Sequence, residues 1–191
     1  MQIDPDLPTQ KKLMRAHQVE VRRLACASHG PAAAEALALD VAPGTIVAAY
    51  WPMGDEIDPR PLMRRLEQAG CRLALPVVAA RGQPLDFRAY AFGDTLEPGL
   101  HGTVHPALTA APLIPQLMLV PLLAFDRQCF RLGYGGGYYD RTLESLRQRA
   151  QVRTIGLGFA AQEVAVIPRD GHDQRLDAIV TEAGLITPET E

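Results

Sequence analysis

The chain has 191 residues, a length that suits one compact domain with a buried core. Hydrophobic residues make up 47% and charged residues 21%, values typical of soluble globular domains that exclude disorder over most of the length. The formal net charge of -3 gives no electrostatic reason to expect nucleic acid or an anionic membrane as a partner.

The sequence shows no sign of export or membrane insertion. No apolar run approaches the roughly 18 residues that span a bilayer, and residues 1–6 are acidic where a secretory signal is basic and then apolar. Cys26, Cys71 and Cys129 are odd in number and far apart, so we expect neither a disulfide framework nor a structural zinc site. We therefore expect a cytoplasmic protein with reduced thiols, and its ordinary size and charge favour a monomer.

Lysine is almost absent. Of the 19 basic residues, 17 are arginines, and only Lys11 and Lys12 are lysines. This excludes a Walker A phosphate loop, which ends in Gly-Lys-Ser or Gly-Lys-Thr, and an internal lysine that forms a Schiff base. A phosphate bound deep in this protein must be held by arginine, backbone N–H groups, a metal or the N-terminal lysines.

The chain begins with a predicted amphipathic helix over 9–29. Gly30 and Pro31 are expected to end it, and an alanine-rich second helix is predicted over 31–40. Side chains at three- and four-residue steps form the stripe that we expect to face the core: Leu13, His17, Val21 and Leu24.

The next elements alternate between strand and helix. A short strand is predicted over 45–50, and a helix begins with Asp58 as N-cap and Pro59 in its first turn. A strand over 72–76 follows. Residues 81–116 are rich in proline and glycine, so we expect loops there, with one short strand near 85–90.

The C-terminal half continues the alternation. The continuous apolar run 117–120 predicts a strand covered on both faces. A helix is predicted over 137–150 and strands over 152–158 and 178–181, while 1–8 and 183–191 are expected to be loose termini. The pattern predicts an α/β fold in one domain, 1–191, with a mostly parallel sheet flanked by helices on both faces in a Rossmann-like three-layer architecture.

A glycine-rich segment separates the strand at 117–120 from the following helix. Successive N–H groups of such a segment can converge on an anion, the helix start adds partial positive charge, and Arg131 can pair with phosphate oxygens. The alternative is a tight structural turn, but arginine, glycines, helix start and acid together favour a nucleotide phosphate. The glycines are Gly133, Gly135, Gly136 and Gly137.

Acidic and aromatic side chains surround this segment. Asp140 lies in the first turn of the predicted helix, where it either complements the helix dipole or binds Mg²⁺ beside phosphates. Tyr134, Tyr138 and Tyr139 suit either the core or a flat heterocyclic ligand.

Two motifs carry a resemblance to a known family. Pro-x-x-Ala-Phe-Asp at 121–126 and Arg-Leu-Gly-x-Gly-x-Gly-Tyr-Tyr-Asp at 131–140 resemble the signature of the 5-formyltetrahydrofolate cyclo-ligase family, and weaker features extend the resemblance over about 11–181. The resemblance implies cyclisation of 5-formyltetrahydrofolate to 5,10-methenyltetrahydrofolate with ATP as co-substrate and Mg²⁺ as cofactor. ADP and phosphate are released by way of a phosphorylated formyl group, and the expected partners are these small molecules alone.

The resemblance also implies a role for individual residues. Arg131 and Tyr138 would be catalytic, and Asp140 and Asp173 would hold Mg²⁺, with Asp177 structural. The reduced folate would contact Trp51, Glu56, Tyr134 and Tyr138. The residues implied to bind ATP are Lys11, Arg15, Arg131, Gly133, Tyr134, Gly135, Gly136, Gly137, Tyr138 and Tyr139.

Three positions depart from the family pattern. His105 stands where glutamate is usual, Gln116 where aspartate is usual, and Cys129 where glycine is common. These departures leave open a non-catalytic folate- or nucleotide-binding paralogue. A sugar-phosphate isomerase or CoA transferase on a related sheet is a further alternative, against which the lack of a catalytic lysine and of an acyl-accepting glutamate motif counts.

Overall fold

A computed structural model describes residues 6–188 and contains an α/β fold in that range. Its three α-helices are α1 (Leu7–Ala36), α2 (Arg60–Gln68) and α3 (Tyr138–Arg147). Its strands, in chain order, are β1 (Ile46–Ala48), β2 (Arg72–Val77), β3 (Asp86–Tyr90), β4 (Leu96–Pro98), β5 (Val104–Pro106), β6 (Leu117–Pro121), β7 (Ala124–Phe125), β8 (Arg131–Leu132), β9 (Arg153–Leu157), β10 (Ala178–Thr181) and β11 (Gly184–Ile186).

Seven strands form one sheet in the order β11-β10-β9-β6-β1-β2-β3. The five inner strands are parallel, and β3 and β11 run antiparallel at the two edges. In the centre, Ala48 of β1 lies between Ala74 of β2 and Met118 of β6. The predicted mostly parallel sheet is confirmed.

Helices cover both faces of the sheet, which explains the continuous apolar run of β6. Leu117 and Leu119 point to the side of α1 and α2, whereas Met118 and Val120 point to the side of α3. Successive side chains of a strand alternate between faces, so a strand buried on both sides has no polar positions. The predicted three-layer architecture is confirmed.

The strand order reverses direction between β1 and β6. The chain passes from β1 through α2 to β2 on one side, and from β6 through α3 to β9 on the other. In open α/β sheets this arrangement leaves a crevice at the carboxyl ends of the two adjacent strands, where ligands bind. The segments after β1 and β6 are therefore the places to look for a site.

Helix α1 continues through Gly30 and Pro31, so the prediction of two helices is wrong. Proline lacks an N–H and usually clashes with the residue before it. Gly30 has no Cβ, which removes much of that clash, and it is buried where a Cβ would lie 3.2 Å from Cys26 Sγ. Buried Ala33 and Ala34 in the last turns anchor the continuation.

The face of α1 that packs on the protein also differs from the prediction. Leu13 and Leu24 are 60% and 52% exposed, whereas Gln18 and Arg22 are buried. The predicted apolar stripe therefore faces outward over most of its length, and a polar stripe faces loops of the protein. The orientation of α1 is therefore set by contacts between its polar side chains and distant loops, and not by the spacing of its apolar residues.

Several smaller elements were not predicted. The paired strands β4 and β5, joined by a turn of 3₁₀ helix, lie in the region expected to be mostly loop, and the β7–β8 pair precedes the glycines. Strand β11 pairs with β10 and α1 begins at Leu7, so the expected loose termini are wrong for these parts, while 1–5 and 189–191 lie outside the described residues. Within 6–188, no helix is long and apolar enough to cross a membrane.

Candidate functional site

The β7–β8 pair presents the glycine-rich segment, and Asp126 holds its turn. The buried Asp126 carboxylate accepts hydrogen bonds from the backbone N–H groups of Gln128 and Phe130, each at 3.0 Å, and from that of Ile167 at 3.0 Å. These bonds close the turn between β7 and β8. Arg131 begins β8, so the chain leaves that strand directly into the glycines.

Arg15 of α1 lies against the glycine-rich segment. Its Nε donates to the carbonyl of Gly133 at 2.8 Å. Gly135 has a φ of +95°, and a Cβ there would lie 3.2 Å from the Arg15 guanidinium carbon. Gly137 has a φ of +65° and immediately precedes the first residue of α3. These two glycines provide the left-handed backbone that brings the loop to α3 with Arg15 in contact.

Arg131, which is buried, and Asp140, which is partly exposed, form an ion pair at the start of α3. Arg131 Nη2 donates to Asp140 Oδ1 at 2.9 Å, and Nη1 donates to the carbonyl of Gln174 at 2.7 Å. The backbone N–H of Gln174 also donates to Asp140 Oδ1, at 3.0 Å. Both terminal nitrogens of Arg131 are thus engaged within the protein, so this side chain connects the glycine-rich segment, α3 and the 170–177 loop.

Lys11 connects α1 to the same loop. Its Nζ lies 2.7 Å from Asp173 Oδ2 and 3.8 Å from Asp170 Oδ2. The backbone N–H of His172 lowers the pKa of Asp170, which stays a carboxylate near this ammonium group. The structure therefore brings Lys11, Arg15, Arg131, Asp140 and Asp173 together near the glycines, and their roles in binding ATP and Mg²⁺ stay predictions.

The carboxylates of Asp140 and Asp173 suit a cation that takes its remaining ligands from phosphate. Asp140 and Asp173 are joined through Gln174, next in the chain to Asp173, and the described hydrogen bonds to Asp140 all end on Oδ1. No cluster of three or more His, Cys, Asp or Glu residues suited to a metal occurs within 6–188. Mg²⁺ beside a nucleotide takes one or two carboxylates and completes its shell with phosphate oxygens and water, so the residues present fit that ion.

Glu56 lies in the loop that follows β1, the other segment at the crevice. It is only 7% exposed, and its Oε2 accepts from the backbone N–H of Met53 at 2.9 Å. Burial raises the pKa of Glu56, and the Met53 bond and the charge of Arg22 partly oppose that rise. Burial, and secondarily the charge of Glu56, raise the pKa of Tyr139, the second residue of α3.

Trp51 packs against the core on the α2 side of the sheet. Its ring meets the ring of Tyr90 edge-on at 5.9 Å, and the Arg60 guanidinium lies 5.1 Å from its centre. The side chain is half-buried there. Its contact with a folate stays a prediction.

The tyrosines of the glycine-rich segment differ in their surroundings. Tyr134 is exposed, and its hydroxyl accepts from Nη2 of Arg22. The hydroxyl of Tyr138 lies 3.3 Å from Nε2 of His101, which belongs to the turn between β4 and β5. This contact brings the β4–β5 region over the glycine-rich segment.

The three departures from the family pattern all have structural partners. The Gln116 side chain accepts from the N–H of Ile46 at 2.9 Å, before the start of β6 and away from its carboxyl end. The ring of His105 lies 2.7 Å from the carbonyl of Pro106. Cys129 has a φ of 61° in the β7–β8 turn, a conformation that glycine adopts more easily.

Sequence reasoning missed Gln18, Arg22, His101 and Gln174. Gln18 and Arg22 follow Lys11 and Arg15 at helical spacing, so the polar stripe of α1 was visible in the sequence once that face was chosen. Gln174 directly follows the predicted site residue Asp173, whereas His101 gave no comparable signal, because long-range folding alone brings it to the site.

Comparisons with known proteins agree on the family. The sequence model of the 5-formyltetrahydrofolate cyclo-ligase family matches residues 6–182. The 5-formyltetrahydrofolate cyclo-ligase of Escherichia coli K12 is 32% identical over 71% of this chain and 76% of its own length, and that of Mycolicibacterium smegmatis is 35% identical over 72% and 74%.

A solved structure supports the fold. That of 5,10-methenyltetrahydrofolate synthetase from Aquifex aeolicus superposes with a TM-score of 0.67 at 22% identity, covering 97% of this chain and 94% of that one. At this identity the likeness concerns the fold alone. The sequence match over nearly the whole described range, together with the two signature motifs, shows that the chain belongs to the 5-formyltetrahydrofolate cyclo-ligase family.

Proposed function

We propose that this protein cyclises 5-formyltetrahydrofolate to 5,10-methenyltetrahydrofolate at the expense of ATP, with Mg²⁺ bound beside the phosphates. The observation that carries the proposal is the meeting of Lys11, Arg15, Arg131, Asp140 and Asp173 around one glycine-rich segment. Such a cluster of cationic side chains, backbone N–H groups and carboxylates suits a nucleoside triphosphate with its bound metal ion. The buried Glu56 nearby supplies a separate polar contact for the second substrate.

The chemistry explains why ATP is needed. The N5 formyl group is an amide, so its carbon is a poor electrophile and its oxygen a poor leaving group. Attack of the formyl oxygen on the γ-phosphorus forms an O–P bond, breaks the bond to ADP and leaves an iminium phosphate. N10 then attacks the iminium carbon and loses its proton to solvent, and the C–O bond breaks as phosphate departs with the electron pair.

The protein's contribution to these steps is positioning and charge. Lys11 and Arg15 lie on one face of α1, close to the glycine-rich segment, and would hold the phosphates against its N–H groups. Arg131 pairs with Asp140 and so fixes the carboxylate at the start of α3. Tyr138 and His101 would border the reacting groups from the β4–β5 side.

Asp140 and Asp173 are the residues that would hold Mg²⁺. The ion, when bound, neutralises charge on the phosphoryl group being transferred. Lys11 pairs with Asp173 in this structure. When MgATP binds and Asp173 holds the metal, the Lys11 ammonium group would move towards the phosphates. Glu56 would accept hydrogen bonds from the pterin, and Trp51 would supply an apolar wall.

The test is the appearance of the methenyl product in the ultraviolet spectrum. Purified protein is mixed with 5-formyltetrahydrofolate at neutral pH, with MgATP, without ATP, or with ATP and excess EDTA. Product that requires both ATP and the divalent cation is expected. Because acid alone cyclises this substrate, a signal of equal size without ATP contradicts the proposal, and binding of both ligands without turnover would identify a non-catalytic paralogue.

A further inference from the structure

A buried arginine of α1 has donor groups that the protein does not use. Arg22 is 3% exposed, and its Nε and Nη1 have no hydrogen-bond partner in the part of the chain that the structure describes. One turn before it, the buried Oε1 of Gln18 has none either. Buried polar groups are nearly always paired, so a cluster of unpaired ones points to a missing partner.

The guanidinium of Arg22 is nevertheless held in a defined place. Nη2 donates to the hydroxyl of Tyr134, and the guanidinium carbon lies 5.2 Å from the centre of that ring. Nη1 lies 3.8 Å from Glu56 Oε1, close enough for attraction between charges but too far for a hydrogen bond. A purely structural ion pair would be expected to close this gap.

Arg22 and Glu56 together present opposite hydrogen-bonding groups side by side. The carboxylate is an acceptor with two oxygens, and the guanidinium edge is a donor. One edge of a 4-oxo pterin carries the matching sequence: the 2-amino group and N3–H donate, and the adjacent C4 carbonyl accepts. A pterin with its two donors on Glu56 would place the C4 oxygen towards Arg22.

We propose that Arg22 is a substrate-binding residue that donates to the C4 carbonyl of the reduced folate and so selects 4-oxo over 4-amino pteridines. The inference rests on the proposed function, because it assumes a folate beside Glu56. In the 4-amino analogue the group at C4 is a donor facing the guanidinium, and N3 carries no hydrogen, so one donor to Glu56 is lost as well; the change caused by Arg22→Met isolates the part that depends on Arg22. A site built to hydrogen-bond a substrate group rejects an analogue that lacks it, because the buried partner is then left unpaired.

The test compares two ligands in matched variants. Dissociation constants are measured for 5-formyltetrahydrofolate and for its analogue with an amino group in place of the C4 carbonyl, in the wild type, Arg22→Met and Arg23→Met. Arg23 is the exposed neighbour, paired with Glu20, and its variant is expected to behave as the wild type. Melting temperature and MgATP binding report whether each variant is folded.

The wild type is expected to prefer the 4-oxo ligand by about a hundredfold or more. Arg22→Met should weaken 4-oxo binding by about 10- to 100-fold, leave the 4-amino analogue as tight or tighter, and leave MgATP binding unchanged. Equal weakening of both ligands would show a structural role and overturn the inference.

The wild type alone also decides the question if Arg22→Met does not fold. Equal affinity of the wild type for the two ligands would overturn the inference whatever the variant does. If the wild type turns over 5-formyltetrahydrofolate but does not discriminate, only the role of Arg22 fails. If the wild type makes no methenyl product with MgATP, the proposed function fails, and the inference about Arg22 fails with it only where the wild type also does not bind 5-formyltetrahydrofolate.

Discussion

Gly135 shows how much of the candidate site depends on single residues. Its φ of +95° lies in the left-handed region, and the Arg15 guanidinium occupies the space beside it. The glycine pattern predicted a turn that meets an anion, and Asp140 was correctly expected in the first turn of the next helix, because both features are local in sequence. The pairing of Arg131 with Asp140 and Gln174 was not predictable, since it depends on the 170–177 loop.

Replacement of Gly135 by alanine should weaken ATP binding. The new Cβ would strain the left-handed backbone and crowd the Arg15 guanidinium, which lies 3.2 Å from its position, so we expect ATP affinity to fall about tenfold or more. Isothermal titration with MgATP measures this. Gly171→Ala is the control, because that glycine has open space around it and an ordinary φ. Unchanged ATP affinity in Gly135→Ala would mean that the backbone at this position does not contact the nucleotide.

Folate binding should depend on the ionisation of Glu56. Burial raises the pKa of this carboxyl group, so its charged form is lost at a higher pH than for an ordinary glutamate. Because only the carboxylate accepts two hydrogen bonds, affinity should fall with decreasing pH, by up to about tenfold for each unit below that raised pKa.

Glu56→Gln provides the reference for this measurement. The ratio of wild-type to variant dissociation constants, taken at each pH with 5-formyltetrahydrofolate, cancels the titration of the ligand itself. We expect the advantage of the wild type to shrink as pH falls. A ratio independent of pH across the acidic range would mean that the Glu56 carboxylate does not contact the folate.

At the scale of the element, α1 is where prediction from sequence was weakest. The spacing of Leu13 and Leu24 predicted the wrong inward face. A helix can also be oriented by polar contacts, which the spacing of apolar residues does not reveal. The inward face is the polar stripe of Lys11, Arg15 and Arg22, which contacts the 170–177 loop, the glycine-rich segment and the loop after β1. Those partners lie 34 to 162 positions away in the sequence, beyond the range of any helical pattern.

Exchange of single lysines tests the stripe. Lys11 is paired with Asp173, whereas Lys12 is exposed on another face of the helix. Lys11→Met should raise the KM for ATP about tenfold or more, because a charge-assisted contact to phosphate is lost. Lys12→Met removes the same charge and should leave KM within about twofold. Initial rates of methenyl formation at varied ATP decide between them, and equal effects would indicate net charge alone.

At the scale of the whole molecule, the sheet was predictable and the site was only partly so. Alternating strands and helices, with the apolar run of β6, predicted a parallel sheet with two covered faces, since burial on both sides leaves no polar position. The β4–β5 pair and β11 were missed because short edge segments with proline or glycine have the composition of loops. The topology then assembles the site from α1, the loop after β1, the glycine-rich segment and the 170–177 loop.

A ligand that bridges α1, the glycine-rich segment and the 170–177 loop, as MgATP would, should stabilise these parts of the fold together. At a MgATP concentration 100 times its dissociation constant, the free energy of unfolding should rise by about 2.7 kcal/mol, or roughly 5–10 °C in melting temperature for a chain of this size. ATP with EDTA should give a smaller rise if Asp140 helps to hold the cation. In Asp140→Asn the two conditions should become alike, whereas Glu144→Gln, exposed one turn further along α3, should keep the wild-type difference. A full MgATP shift retained by Asp140→Asn would place the metal elsewhere and leave Asp140 with a structural role, as the acceptor for Arg131 and Gln174.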